Sequence, residues 1–324
     1  MMKKLPSALC LLLAATAQAQ ESNSVFNFLE LPVSARSTAL GGSNISLIAD
    51  DASLVFANPA LLSSVSDKTL SLNFMTYLQG CNVGSAAFTK LAGERGTWGV
   101  TAQYANYGKM DETTADRTVV GSFTAMDLAL SGMYAYNLSD HWAGGAAGKF
   151  IYSRYADYTS VALAVDLGLN YYDGETDFSF SVVARNLGGQ VKAFGDHHEK
   201  LPFSLQAGFT KRLAHAPFRL SVTAVDLTRW DKKHYFVSGE ELSTGKLLMN
   251  HLAVGVDFLP TDYLYLSLGY NFRKGNEMKA AGSSHAAGLC AGGGFTLKRF
   301  GFGLAYAQYH LSAPSLVFSA AYRM

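Results

Sequence analysis

From residue 69 to the C-terminus the chain repeats one unit: about ten residues alternating apolar with small or polar, then a turn. In the stretch from Val161 to Asn170, one face carries Val161, Leu163, Val165, Leu167 and Leu169. The other carries Ala162, Ala164, Asp166, Gly168 and Asn170. Successive side chains of a strand point to opposite sides, so this period of two builds a sheet with one apolar face and one polar, glycine-rich face. Lipid outside and a filled or watery lumen inside is the arrangement such a sheet suits.

Alternation and turn signals mark fourteen candidate strands: 69–79, 82–91, 95–106, 120–137, 141–155, 158–172, 176–188, 203–213, 217–230, 249–259, 262–274, 284–298, 299–310 and 314–324. A tilted strand crosses a bilayer in roughly 9–11 residues, and single-chain bacterial barrels use an even number of strands. The connections test the idea independently. Those after even-numbered strands are tight, as at Ala92-Gly93-Glu94, Ser139-Asp140, Asp173-Gly174-Glu175, Ala214-His215-Ala216, Pro260-Thr261 and Lys298-Arg299. Every long connection (107–119, 189–202, 231–248 and 275–283) follows an odd-numbered strand. Outer-membrane barrels have short periplasmic turns and longer surface loops, and the segregation matches. The expected fold is therefore an all-β, 14-stranded antiparallel transmembrane barrel over 69–324.

Mid-strand charges support the same phase. A cation on the lipid face at mid-bilayer costs about 2–4 kcal/mol, so charges should alternate with small and polar residues. Asp127, Lys149, Asp166, Arg185 and Asp257 all do, which assigns them to the lumen. Asp226 shares parity with Leu220 and Val222 instead; a bulge or a position above the membrane would account for it.

The first 19 residues read as a secretory signal peptide. Lys3 and Lys4 precede the apolar stretch from Leu5 to Ala15, and Ala17-Gln18-Ala19 is a small-x-small cleavage site. No other stretch approaches the roughly 20 apolar residues of a membrane-spanning helix. A formal net charge of +1 over 324 residues gives no electrostatic argument for a nucleic-acid partner. Cys81 falls in a turn and Cys290 mid-strand, ten hairpin steps later, so a disulfide between them is not expected.

Residues 20–68 break the alternation and read as a short, partly helical N-terminal plug. Ser34 caps a helix to Leu40 that Gly41-Gly42 ends, Asp50 or Asp51 caps a second turn, and Asn58-Pro59 opens the approach to the first strand. A fourteen-stranded barrel is too wide for wall side chains alone to fill. Arg36 is the natural partner for lumen carboxylates such as Asp127 or Asp166.

Ser34-Ala35-Arg36-Ser-Thr-Ala-Leu-Gly41-Gly42, then Asp50-Asp51-Ala52 and Asn58-Pro59-Ala60, resembles the N-terminal signature of the PorV/PorQ branch of the FadL-like outer-membrane barrels. The resemblance implies an outer-membrane component of the type IX secretion system. In that system one barrel type carries cargo, and another holds the surface protein PorZ beside PorV and the sortase PorU, where cargo is joined to lipopolysaccharide. The opening Phe26-Asn-Phe-Leu-Glu-Leu-Pro is closer to the holding type. The wider FadL-like group implies an alternative, transport of hydrophobic small molecules; the cargo-shuttling role of PorV is another.

Catalytic signatures are lacking: the chain has no Gly-x-Ser-x-Gly elbow, phosphate loop or metal-spaced His/Cys cluster. A non-enzyme without cofactor or metal is expected; His197-His198-Glu199 has no third convergent ligand to make a metal site. Gly292-Gly293-Gly294 marks a bulge or close lumen packing within the twelfth strand. The long loops are the candidate docking surface, with Phe194, His197 and His198 in one and Tyr235, Phe236, Leu247 and Leu248 in another.

Overall fold

The computed structural model describes residues 24–78, 80–116, 118–231, 243–280, 287–308 and 314–324. The expected signal peptide and the loop residues Tyr235 and Phe236 lie outside them. The first seven strands are β1 (Thr69–Leu78), β2 (Cys81–Ala92), β3 (Gly96–Thr113), β4 (Val119–Asn137), β5 (Trp142–Tyr155), β6 (Tyr158–Asp173) and β7 (Phe178–Lys192). The rest are β8 (Ser204–Arg212), β9 (Phe218–Ala224), β10 (Leu252–Thr261), β11 (Leu264–Asn271), β12 (Leu289–Leu297), β13 (Phe300–Ala307) and β14 (Ser315–Arg323).

Each strand pairs antiparallel with the next, and β1 pairs with β14 from Thr69↔Arg323 to Thr76↔Leu316. The result is a closed barrel with no open seam, as backbone polar groups in hydrocarbon require. In β6, Ala162, Ala164 and Asp166 are at most 4% exposed, whereas Leu163, Val165 and Leu167 are 42–53% exposed. Apolar side chains thus cover the outside, and small and polar ones line the lumen. Trp98, Tyr134, Tyr136 and Trp142 sit on the outside near the short turns, in keeping with an aromatic girdle at the periplasmic interface.

The long connections all leave the same rim, but three boundaries differ from the sequence expectation. The expected loop 107–119 is largely strand: β3 runs on to Thr113 and β4 begins at Val119, the two forming a hairpin. Conversely, β9 ends at Ala224, well before residue 230. Asp226 has a left-handed φ of 53° and binds Arg273 at 2.8 Å, so it lies past the strand end and its parity carries no meaning. At the end of β11 the chain turns into a helix, Phe272–Ala280, where Asn271 Oδ1 accepts from the Lys274 N–H at 3.0 Å as an N-cap does.

Ahead of the barrel, three short 3₁₀ segments (Asn27–Glu30, Ala52–Phe56 and Pro59–Ser64) and the short helix α1 (Ala35–Ala39) occupy the lumen. Ile45, Leu47, Leu54, Leu61 and Leu62 of this segment are fully buried. The plug thus supplies the core that the wall's small lumen residues leave room for. Its start lies at the long-loop rim, where Val25 N–H donates to Lys200 O at 3.0 Å, and its end leads into β1 at the opposite rim. No disulfide joins Cys81 and Cys290.

Candidate functional site: the plugged lumen and the long-loop rim

Local chemistry sets the plug's path. Ser34 Oγ accepts from the Ser37 N–H at 3.1 Å and starts α1. Gly41 and Gly42, at φ 91° and 81°, end it; the Gly42 N–H returns to Ser37 O at 2.9 Å. Asp51 caps the next turn through the Ser53 N–H at 2.9 Å. Asn58 caps the last, accepting from the Ala60 N–H at 2.9 Å with Pro59 in the first position, and its Nδ2 donates to Ile45 O at 2.9 Å. Asp50 does not cap: it accepts from the Ser66 N–H at 2.8 Å and pairs with Arg323 at 2.6 Å, pinning the plug to the barrel's last strand.

Wall glycines admit this path. A Cβ on Gly168 would overlap the Asn58 side chain, and one on Gly269 would overlap the Gly41 backbone. Gly292 likewise faces α1 at Ala39 and Gly294 faces Tyr265, so two of the three glycines of the β12 run are close lumen packing, whereas Gly293 lies against Leu266 on the outer face.

Charges complete the attachment. Arg36 pairs with Asp257 at 3.4 Å, not with Asp127 or Asp166 as its sequence suggested, and lies 4.0 Å over the Tyr265 ring. The correction follows from where the helix lies. Ala35 N–H donates to Ser319 Oγ of β14 at 2.9 Å, which puts α1 across the lumen from β4 and β6. Asp257 also receives Arg219 Nη2 at 2.8 Å and Ser267 Oγ at 2.5 Å. Lys149 pairs with Asp166 at 2.6 Å, while Arg185 Nη2 donates to Leu29 O of the plug at 3.0 Å. Asp127, wholly buried, accepts from Tyr107 at 2.6 Å, from Tyr155 at 3.0 Å and from Ser153.

Arg219, Tyr107 and Ser153 were not singled out from the sequence. Arg219 was legible there, since it alternates with Ser221 and Thr223. Tyr107 was not, because it fell in an expected loop.

Two gaps between plug and wall, both bordered by Arg185, measure about 20 Å³ each, close to the room one water needs. A larger cavity of about 450 Å³ lies at the short-turn end, bordered by Arg36, Asp50, Asp51, Arg219 and Arg323. Its lining mixes these charges with apolar side chains, among them Ile48, Leu259, Leu264, Phe295 and Phe302. Among the described residues no cluster of three or more His, Cys, Asp or Glu could hold a metal.

At the long-loop rim, two of the expected docking residues turn inward. Phe194 is half-buried against Phe26 and Tyr155, with ring centroids at 6.2 and 5.2 Å. Leu247 is buried in the helix α2 (Thr244–Asn250), while its neighbour Leu248 stays exposed. Phe194 finds burial beside the plug's Phe26, and Leu247 within the packing of its own helix end. His197 and His198 are exposed. Elsewhere on this rim Asp226, Arg273 and Glu277 form a network with bonds of 2.8 Å; Arg273 lies in the first turn of the helix α3 (Phe272–Ala280). Burial alone would lower the Arg273 pKa, but the charges of Glu277 and Asp226 outweigh it and hold it above the usual guanidinium value. Glu30, in the plug below, faces an accessible space yet is enclosed by the barrel. Burial raises its pKa and the Asp226 charge adds to this, against the opposing cations Arg273, Lys274 and Arg229.

The fold defines a plugged, 14-stranded barrel of the outer-membrane kind. Several solved structures share this fold. The CymD monoaromatic hydrocarbon channel shares 14% identity over 90% of this chain and 97% of its own, with a TM-score of 0.57. The toluene transporter TodX of Pseudomonas putida shares 12% over 93% and 98%, TM-score 0.55. A Pseudomonas aeruginosa FadL homologue shares 11% over 90% and 98%, TM-score 0.54. At such identities the likeness is one of fold. No family profile and no curated protein sequence matches the chain.

Proposed function

We propose that this protein is a non-enzymatic, non-conducting outer-membrane barrel of the type IX secretion system, of the PorQ type, anchoring a PorZ-like surface protein near PorU and PorV. The observation that carries the reading is the plugged lumen. The plug is tied to the wall at β10 through Arg36–Asp257 at 3.4 Å and at β7 through Arg185–Leu29 O at 3.0 Å, and the gaps bordered by Arg185 are about 20 Å³. A barrel so filled serves better as a membrane fixture than as a pore. The plug motif from Ser34 to Pro59 supports the branch, and the long connections gathered on one rim offer the surface for a partner and for lipopolysaccharide.

The test is co-purification from detergent-solubilised outer membrane. An anchor brings down one fixed surface partner together with PorU and PorV; a PorV-like shuttle brings down many different cargo proteins. Recovery of no stable partner would end the anchoring reading.

Transport of hydrophobic small molecules is the second reading, and the names of the similar solved barrels favour it. A deletion strain decides: reduced uptake of monoaromatic compounds supports transport, while unchanged uptake with loss of surface attachment supports anchoring.

A further inference from the structure

β3 and β4 climb past both of their neighbours. β2 last pairs with β3 at Asn82↔Asn106, and β5 last pairs with β4 at Ala125↔Tyr155. Beyond those points β3 and β4 continue, paired to each other from Lys109↔Thr124 to Thr113↔Val119, with one further described backbone bond, at Thr124. The adjoining chain turns back lower down, at Gly80 and at 156–157, so among the described residues this hairpin stands free on the long-loop rim. A register shift between Asn106 and Lys109, with Gly108 at φ 74°, sets it off from the wall.

A free hairpin presents two edges of backbone N–H and C=O groups, and the two differ in chemistry. The β3 edge carries Lys109, Asp111 and Glu112, charges of the kind that blunt an edge against pairing. The β4 edge reads Val119-Val-Gly-Ser-Phe-Thr124, without a charge or a proline, and Val119 and Val120 are 58% and 60% exposed. Thr124 C=O accepts from the Ala156 N–H at 3.1 Å, the last bond towards β5. Backbone groups alternate sides along a strand, so Ser122 aims its N–H and C=O the same way. No described residue pairs with it there.

We propose that this edge, Val119 to Thr124, receives an extended, uncharged segment of the surface partner as an added strand. The inference rests on the anchoring reading and names where and how the partner is held. Only another extended backbone satisfies a row of alternating donors and acceptors, and an uncharged edge selects an uncharged segment. A second copy of this chain fits poorly. Copies in one membrane share an orientation, so antiparallel pairing of their β4 edges, the more stable geometry, would need one of them inverted.

Ser122→Pro tests this cleanly. It removes the outward N–H, keeps a φ that a strand accepts, and breaks no bond to β3. Ser122→Ala is the control that keeps the N–H. The probe is the purified PorZ-like surface protein, with binding to the detergent-solubilised barrel read by interferometry and backbone amide exchange followed over 119–124. Binding should fall at least tenfold for Ser122→Pro and stay unchanged for Ser122→Ala, with exchange of 119–124 slowed in the wild-type complex. Wild-type affinity in a folded Ser122→Pro barrel, or unslowed exchange, overturns the edge while leaving the anchor standing. Should Ser122→Pro fail to fold, the wild-type exchange data decide alone. A wild-type barrel that does not bind at all removes both, and a barrel dimer cross-linked through residue 122 without the probe assigns the edge to self-association.

Discussion

Asp257 accepts from Arg36, Arg219 and Ser267 in a lumen position that is 1% exposed. Two guanidinium groups therefore depend on one carboxylate. Asp257→Ala should cost about 3–5 kcal/mol, because it strands two buried cations side by side. Arg36→Ala should cost only about 1–3 kcal/mol, the loss of one long ion pair and a ring contact, since Asp257 keeps Arg219. Unfolding in urea on vesicles ranks the two; equal costs would mean that Arg219 does not need its partner. Glu30 gives a pH-dependent counterpart. Its pKa is raised in the folded barrel, so it favours folding below its unfolded value, about 4.3. That contribution is lost as pH rises through the folded value. Glu30→Gln should thus raise the thermal midpoint at pH 8 and leave it unchanged near pH 3.5, as read by heat-modifiable gel mobility. The lumen charges were legible residue by residue because each sits in phase with small neighbours. Their partners were not: Arg36 reaches Asp257 over 221 positions, and no local pattern encodes that distance.

Strands are where the sequence speaks most plainly, because a period of two and a turn are both local. β6 shows the consequence. Leu167→Arg, at mid-strand on the lipid face, should destabilise the barrel by about 2–4 kcal/mol, whereas Tyr158→Arg at the strand's rim end should cost about 0–1. The same vesicle titration measures both; equal costs would mean that the lipid-facing phase is misassigned. The short helix α1 was readable too, since Ser34 and Gly41-Gly42 bracket it with side-chain and backbone chemistry. The ends of β9 and β11 were not readable. Val225 to Trp230 alternates well enough for a strand, and only the left-handed turn at Asp226 stops it there. Tyr270 to Lys274 is equally ambiguous, and the Asn271 cap with the Arg273–Glu277 pair tips it to helix. Short segments with both periods open are resolved by the neighbours they meet.

For the molecule as a whole, the barrel and its plug make one hydrogen-bonded unit, and the proposed function depends on their staying together. Deleting 24–66 should leave a barrel that still inserts but conducts ions in a planar bilayer, while the full chain stays closed; matching traces would show that the plug does not seal it. Gly168→Phe, which pushes against Asn58, should give an intermediate, flickering conductance. The amino-acid sequence by itself determined the number of strands, their antiparallel order, the lipid-facing and lumen-facing phases and the rim that bears the long connections. All of these follow from local alternation and turn chemistry in a chain that must close on itself in hydrocarbon. The tertiary structure alone decided which wall each plug residue meets, which rim side chains fold inward, and which hairpin edge is left open. Those outcomes depend on how a segment without periodicity crosses fourteen strands, and such a segment carries no phase from which its contacts could be read.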